Sequence, residues 1–303
     1  MQIGGPGSPR CAAHGNTSVV VSRERIDRVM QIKKKNALAG VSLASIGLLS
    51  GCAQFVPVKD IAADKPGYLA THFGIESLPA RVREKLPAAG SHTLPFKVLT
   101  MAGTMTGNVG TLGIKSDFKT TLINAKDTGL VQQVLELSAN GIPSSATFSL
   151  SYLNLYSLKQ ETASYSQTAA FMPFVVHDSD NNQFAFNAPQ EDATYVTTFK
   201  IGTTVQIANF RTTVSTCHAG HYYPASRVNA ELTGNAIDLD CEDTKDGIIQ
   251  NKSRRTYLTE YGIGLNRSLA TSAAKFEWTY SEFEKDGEKA APRIGKPVSS
   301  KSI

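Results

Sequence analysis

The stretch C-H-A-G-H-Y-Y-P sets Cys217, His218 and His221 close together, and Cys241 follows later in the chain. Thiolates and imidazoles are the ligands of tetrahedral zinc, so these four residues form a candidate metal set. Two arguments favour a plainer reading. Neighbouring residues of an extended segment point to opposite faces, which would part Cys217 from His218. A pair of cysteines in an oxidising compartment forms a disulfide. The expectation is therefore a Cys217–Cys241 disulfide with His218 and His221 at the surface, and no cofactor.

Other sets of suitable residue types fall short of known site patterns. D-L-D-C-E-D-T-K-D-G-I-I offers Asp238, Asp240 and Glu242, but Asp243 stands where a calcium loop needs glycine and Ile249 where it needs glutamate. D-S-D-N-N-Q-F-A-F-N-A-P fails in the same way, at Gln183 and Pro189. Both read as solvated turns. There is no G-x-S-x-G and no H-E-x-x-H. Ser272-Ala273-Ala274-Lys275 matches S-x-x-K by letter only, and G-I-G-L-N-R-S lacks the third glycine of a dinucleotide loop. After Cys52 the histidines are His72, His92, His177, His218 and His221; any of them could serve beside a carboxylate, but none sits in a catalytic motif. No catalytic residues are assigned, and the expectation leans away from an enzyme.

The sequence is most specific near its start. Lys33, Lys34 and Lys35 precede an apolar run from Ala37 to Leu49, which ends in Ser50, Gly51 and Cys52. A membrane-crossing helix needs about 20 apolar residues, so this run is too short to span. A basic start, a short apolar core and small residues at its end describe an export signal. Leu49-Ser50-Gly51-Cys52 resembles the lipobox of bacterial lipoproteins. The resemblance covers residues 30–52 and implies a diacylglycerol thioether on Cys52, with cleavage just before it. Two or more acyl chains anchor stably at about 0.8 kcal/mol per buried methylene, so Cys52 would be the membrane partner's attachment point. Ala53, in place of aspartate, implies outer-membrane sorting by the rule of enteric bacteria, with the protein facing the periplasm. Residues 1–29 show no structural period and read as an upstream extension, with synthesis starting at Met30.

Charge excludes one class of partner. Residues 1–51 hold seven Lys/Arg and two Asp/Glu, so residues 52–303 carry 24 of each and no net charge. The basic surface needed for nucleic-acid binding is absent from that balance, and no nucleic-acid partner is expected.

Period-2 alternation dominates the rest. In A-T-F-S-L-S-Y, Ala146, Phe148, Leu150 and Tyr152 oppose Thr147, Ser149 and Ser151, which predicts a strand with one dry and one wet face. Phe276, Trp278 and Tyr280 alternate in the same way. Further strands are expected at 96–101, 118–124, 131–138, 195–199, 205–210, 228–239 and 255–261. Turn signals separate them at 126–129, 140–143, 178–182 and 243–247. The fold class read from this is mainly β: an antiparallel sheet, as a sandwich or partly open barrel, with a short helical segment near the mature N-terminus around Ala80–Leu86. The expected domains are a signal peptide at 30–51, a lipidated tether at 52–67, a β-rich body at 68–284 and a disordered tail at 285–303. G-N-A-I-D-L-D-C-E and R-R-T-Y-L-T-E-Y-G-I-G-L are similar to segments of uncharacterised β-rich proteobacterial periplasmic proteins, a likeness that implies no activity.

The functional expectation is a lipid-anchored, periplasm-facing protein with a non-enzymatic binding or envelope-support role, whose partner beyond the membrane is an envelope protein or a hydrophobic ligand. A carrier of hydrophobic molecules in a cavity lined by the aromatic strands is the alternative. A hydrolase of envelope glycans or peptides is the third reading.

Overall fold

The structure is a computed structural model that describes residues 56–180, 184 and 186–289. By contacts the chain divides into residues 1–50 and 51–303, and all described residues belong to the second unit. Leu49, Ser50, Gly51 and Cys52 lie outside the described residues.

Twelve antiparallel strands follow one another around a closed barrel: β1 (Val98–Val109), β2 (Leu112–Asn124), β3 (Leu130–Ala139), β4 (Ile142–Tyr152), β5 (Tyr156–Ser164), β6 (Phe174–Ser179), β7 (Thr194–Thr203), β8 (Arg211–Pro224), β9 (Asn235–Lys245), β10 (Ile248–Leu258), β11 (Ile263–Thr271) and β12 (Ala274–Lys285). Each pairs with the next, and β12 pairs back onto β1 from Leu99↔Lys285 to Val109↔Ala274. Closure removes the free edges that would otherwise template aggregation. The expected sandwich is thereby excluded, and the barrel is not partly open. At the closure a Cβ on Gly103 would lie 2.0 Å from the Thr279 carbonyl oxygen. Glycine is what lets the two backbones meet there.

Tight turns set the register. Asn140-Gly141 and Asp246-Gly247 both take positive φ, the pairing that matches hairpin twist. Asp286-Gly287 does the same and leads into a short β13 (Glu288–Lys289). Residues 285–289, expected in a disordered tail, are therefore paired backbone.

Three other expectations are corrected. The tether reading of 52–67 fails from Val58 onward, where α1 (Val58–Ala63) and α2 (Lys65–His72) form. Asp64 caps α2 by accepting from the Gly67 N–H, and Ile61 and Leu69 are buried against the barrel wall. The helical turn expected near Ala80–Leu86 is present as α3 (Ala80–Arg83). Val205–Phe210 is a loop, because the Gln206 amide donates to the Ala208 and Asn209 carbonyls and Asn209 has φ 56°. The strand expected from Val228 begins only at Asn235, after a turn at Gly234 with φ 76°.

Register sorts every strand into an inward and an outward face. Outward residues of β9 and β10 form exposed ion pairs, Asp240 with Arg254 and Glu242 with Lys252. A membrane-spanning barrel presents an apolar band outward, and this face is charged instead. No helix among the described residues is long and apolar enough to cross a membrane.

Candidate functional site

Both faces of β4 are covered: the face read as dry is buried, and so are the serines of the face read as wet. Phe148 points outward, under the helices: its ring stacks on Phe73 at 6.0 Å and meets Tyr68 edge-on at 5.1 Å. Ser149 and Ser151 point into the barrel and are 4% exposed. The inner wall there is polar, with Ser149 donating to Gln133 at 2.9 Å and Thr147 bonded to Thr162 at 3.0 Å.

An aromatic plug centred on Phe186 packs among tyrosines of β5, β7 and β10. Phe186, from the connection between β6 and β7, contacts Tyr156, Tyr195 and Tyr257 at ring separations of 6.0, 5.0 and 6.1 Å. The hydroxyl of Tyr152 donates to the carbonyls of Phe184 and Phe186, and that of Tyr257 to Asn187. These bonds satisfy the carbonyls of Phe184, Phe186 and Asn187, which lie outside the strands.

Against this plug lies a chamber of about 260 Å³ between β5–β6 and β8–β10. Tyr156, Phe199 and Ile201 supply apolar wall; Gln160, Arg211, Ser215, Asp243 and Arg255 supply polar groups. The register explains why these distant residues meet. Ser215 is opposite Asp243, and Arg255 is opposite Leu239 on the same inward face. Arg255 donates one guanidinium hydrogen bond to the Leu155 carbonyl. Burial pushes the Tyr156 phenol up from its ordinary value.

The inner wall leaves polar atoms without partners. Asp243 Oδ1, Ser151 Oγ, Ser253 Oγ and the Arg267 Nε are buried and make no hydrogen bond. Such atoms cost about 1–3 kcal/mol each unless water or a ligand reaches them. Ser253 is 9% exposed and has the simplest replacement. Ser253→Ala is expected to leave the ligand-free protein unchanged or raise its stability by about 1 kcal/mol. Urea unfolding reads this, and a loss of 1 kcal/mol or more would mean that the hydroxyl serves the fold.

The wall is paired least beside the chamber. β5 and β6 share only Lys159↔Val175 and Gln160↔Phe174, against eleven register pairs joining β1 to β12. Ser157 and Gln160 on one side of this seam, and Phe174 and Val175 on the other, all line the chamber. A joint this short opens locally more readily than its neighbours.

The residues singled out in the sequence lie elsewhere. Cys217 and Cys241 face each other across β8 and β9 and are disulfide-bonded, with Cα atoms 4.0 Å apart. Their sulfurs are thus not thiolate ligands. His218 points outward and bonds to Thr194 Oγ1 at 2.9 Å, whereas His221 lies 3.8 Å from both Glu191 and Asp192 at the surface. No cluster of three metal-ligating side chains occurs among the described residues. Of the calcium-like runs, Asp240 and Glu242 are taken by the outward ion pairs, and Asp178 pairs with Lys85 at 2.9 Å. Ser272-x-x-Lys275 is the β11–β12 turn, with Lys275 paired to Glu277. Arg211, Asp243 and Arg255 carried no sequence signal, since only the strand register brings them together.

No protein-family model matches the chain, and no curated protein does. Two solved structures are similar to it. One is a DUF1329 family protein from Desulfovibrio piger, with a TM-score of 0.35 at 11% identity over 63% of this chain and 87% of that one. The other is a β-barrel-like protein of domain of unknown function DUF1849 from Brucella abortus, with a TM-score of 0.36 at 8% identity over 64% of this chain and 99% of that one.

Proposed function

We propose that this chain is a non-enzymatic binding barrel of the bacterial envelope, tethered through lipid on Cys52, which takes a polar ligand into its inner chamber. The observation that carries the ligand half is the unpartnered Asp243 carboxylate oxygen inside a chamber that also holds Arg211 and Arg255. Barrels of about eight strands fill their interiors with side chains, whereas a twelve-strand wall is wide enough to leave room for a ligand. The chamber volume is just below the range of drug-sized pockets, which suits a small molecule or the head of a larger one. Two arginines opposite one carboxylate favour a ligand that carries an anionic group and a hydrogen-bond donor. Ser157, Gln160, Phe174 and Arg211 of the chamber lining are exposed, so the chamber is reached from solvent beside the short β5–β6 seam.

This reading differs from a carrier of purely hydrophobic molecules. Phe148 and Tyr152 do not line a cavity: one packs beneath the helices and the other supports the plug. The tether half rests on the lipobox-like residues Leu49, Ser50, Gly51 and Cys52.

One experiment reads both halves. The full precursor is expressed in a Gram-negative host, extracted from membranes in mild detergent and weighed by native mass spectrometry. Two results are expected: a polypeptide beginning at acylated Cys52, and a small-molecule adduct that Asp243→Ala/Arg255→Ala no longer carries. An unmodified Cys52 would overturn the tether, and an adduct-free wild type would overturn the ligand.

A further inference from the structure

Outside the barrel, a second cleft of about 410 Å³ lies between α2 and the outward face of β5. Its lining includes Tyr68, His72, Ser77, Lys159 and Glu161, with Phe171, Met172 and Val205 also on its walls. Lys159 and Glu161 are 7% and 6% exposed, which is unusual for charged residues on an outward face. They sit two apart on one strand and therefore share a face, yet they form no direct ion pair. Lys159 Nζ makes one hydrogen bond, to the His72 carbonyl at 2.6 Å, and lies 4.9 Å from the centre of the Phe73 ring. An ammonium has three donors, so the pairing is incomplete. Glu161 accepts from the Tyr68 hydroxyl at 2.8 Å, and Ser77 Oγ is buried with no partner.

The titration behaviour agrees with two charges short of counter-charge. Burial lowers Lys159 below the ordinary lysine value, and Glu161 partly restores it. Burial likewise raises Glu161, against the opposing pull of the Tyr68 hydrogen bond and of Lys159. His72 is lowered by burial and then by Lys159. Phe171 and Val205 are 56% and 55% exposed, an apolar surface beside the buried charges.

We infer that this cleft binds the zwitterionic head of an amphiphile, its phosphate on Lys159 and its ammonium on Glu161, with the acyl chain along Phe171, Met172 and Val205. A separated buried cation and anion match a ligand that carries both signs, whereas a simple anion would face the Glu161 carboxylate and a simple cation the Lys159 ammonium. Ser77 Oγ supplies one further bond to the phosphate. The site is distinct from the inner chamber and shares no lining residue with it.

The test uses the chain purified with its disulfide intact and three probes in isothermal titration: 1-palmitoyl lysophosphatidylethanolamine below its micelle concentration, O-phosphoethanolamine, and palmitate. Lysophosphatidylethanolamine is expected to bind at least tenfold tighter than palmitate. Lys159→Met and Glu161→Gln should each weaken it at least tenfold, and Asp243→Ala/Arg255→Ala should leave it unchanged. Phe171→Glu alters an exposed side chain, keeps the fold, and should weaken the lysolipid without affecting O-phosphoethanolamine. O-phosphoethanolamine is expected to bind more weakly than the lysolipid; if it binds as tightly, the zwitterion comes from solution and the acyl-chain half of the inference is overturned. Palmitate binding as tightly as the lysolipid would overturn the inference. So would neither zwitterion binding the wild type, or Lys159→Met and Glu161→Gln both binding like the wild type while folded.

Discussion

Phe148→Ala is expected to destabilise the protein by about 3–5 kcal/mol, the range for deleting a fully buried aromatic ring. Phe148 has no solvent exposure and lies where β4 meets the helical layer, in contact with Tyr68 and Phe73. The loss combines buried apolar area with a cavity, since β4 is held by β3 and β5 and cannot move in to fill it. Domains of this kind are stable by about 5–15 kcal/mol, so the change removes a large share. The layer outside should suffer first: α1 and α2 are short, and isolated helices of that length are not stable in water. Chemical denaturation together with hydrogen exchange on residues 58–73 checks this. A loss under 1 kcal/mol, with helix protection unchanged, would mean that the ring does not hold the layer.

Breaking the disulfide should cost nearly as much. Cys217 and Cys241 are 24 positions apart, and closing such a loop removes about 3.5 kcal/mol of unfolded-chain entropy. Both residues are nearly completely buried on the inward face, so paired serines would also set two hydroxyls against an apolar wall. Cys217→Ala/Cys241→Ala avoids that second cost, and its unfolding free energy should fall by about 3 kcal/mol. Wild type unfolded under reducing conditions should match it. An equally stable double variant would mean that the β8–β9 pairing needs no cross-link.

Most of the strands were legible because alternation and turn chemistry act locally, but β5, β6 and β11 were not among those expected. Asn140-Gly141 and Asp246-Gly247 form the hairpin turns that their residue types demand. Alternation could not tell which face looks inward. Phe148 marked a dry face correctly, yet the dryness comes from helices outside the barrel, and the serines opposite are buried inside it. The helices themselves left a faint signal, an aspartate before Lys65-Pro66-Gly67, which is a capping residue followed by a proline suited to a first turn. Short length and low amphipathicity hid it. Val205–Phe210 shows the opposite failure: strand-forming residue types overruled by the Gln206 side chain bonding its own loop.

The two candidate sites differ in the same respect. Lys159 and Glu161 are two apart on one strand, so a single sequence places them together once the strand is recognised. Arg211, Asp243 and Arg255 come from three strands whose register is fixed by hairpins and by a bulge between Arg254 and Arg255. Nothing local to each residue announces that grouping.

The inner chamber is tested most directly by a crystal structure, at better than about 1.5 Å, of the protein purified without denaturation. Well-defined density for a polar molecule in contact with Asp243 Oδ1 and the Arg255 guanidinium is the expected result. An Arg255 guanidinium turned onto Asp243 in a chamber holding only disordered solvent would contradict a binding barrel.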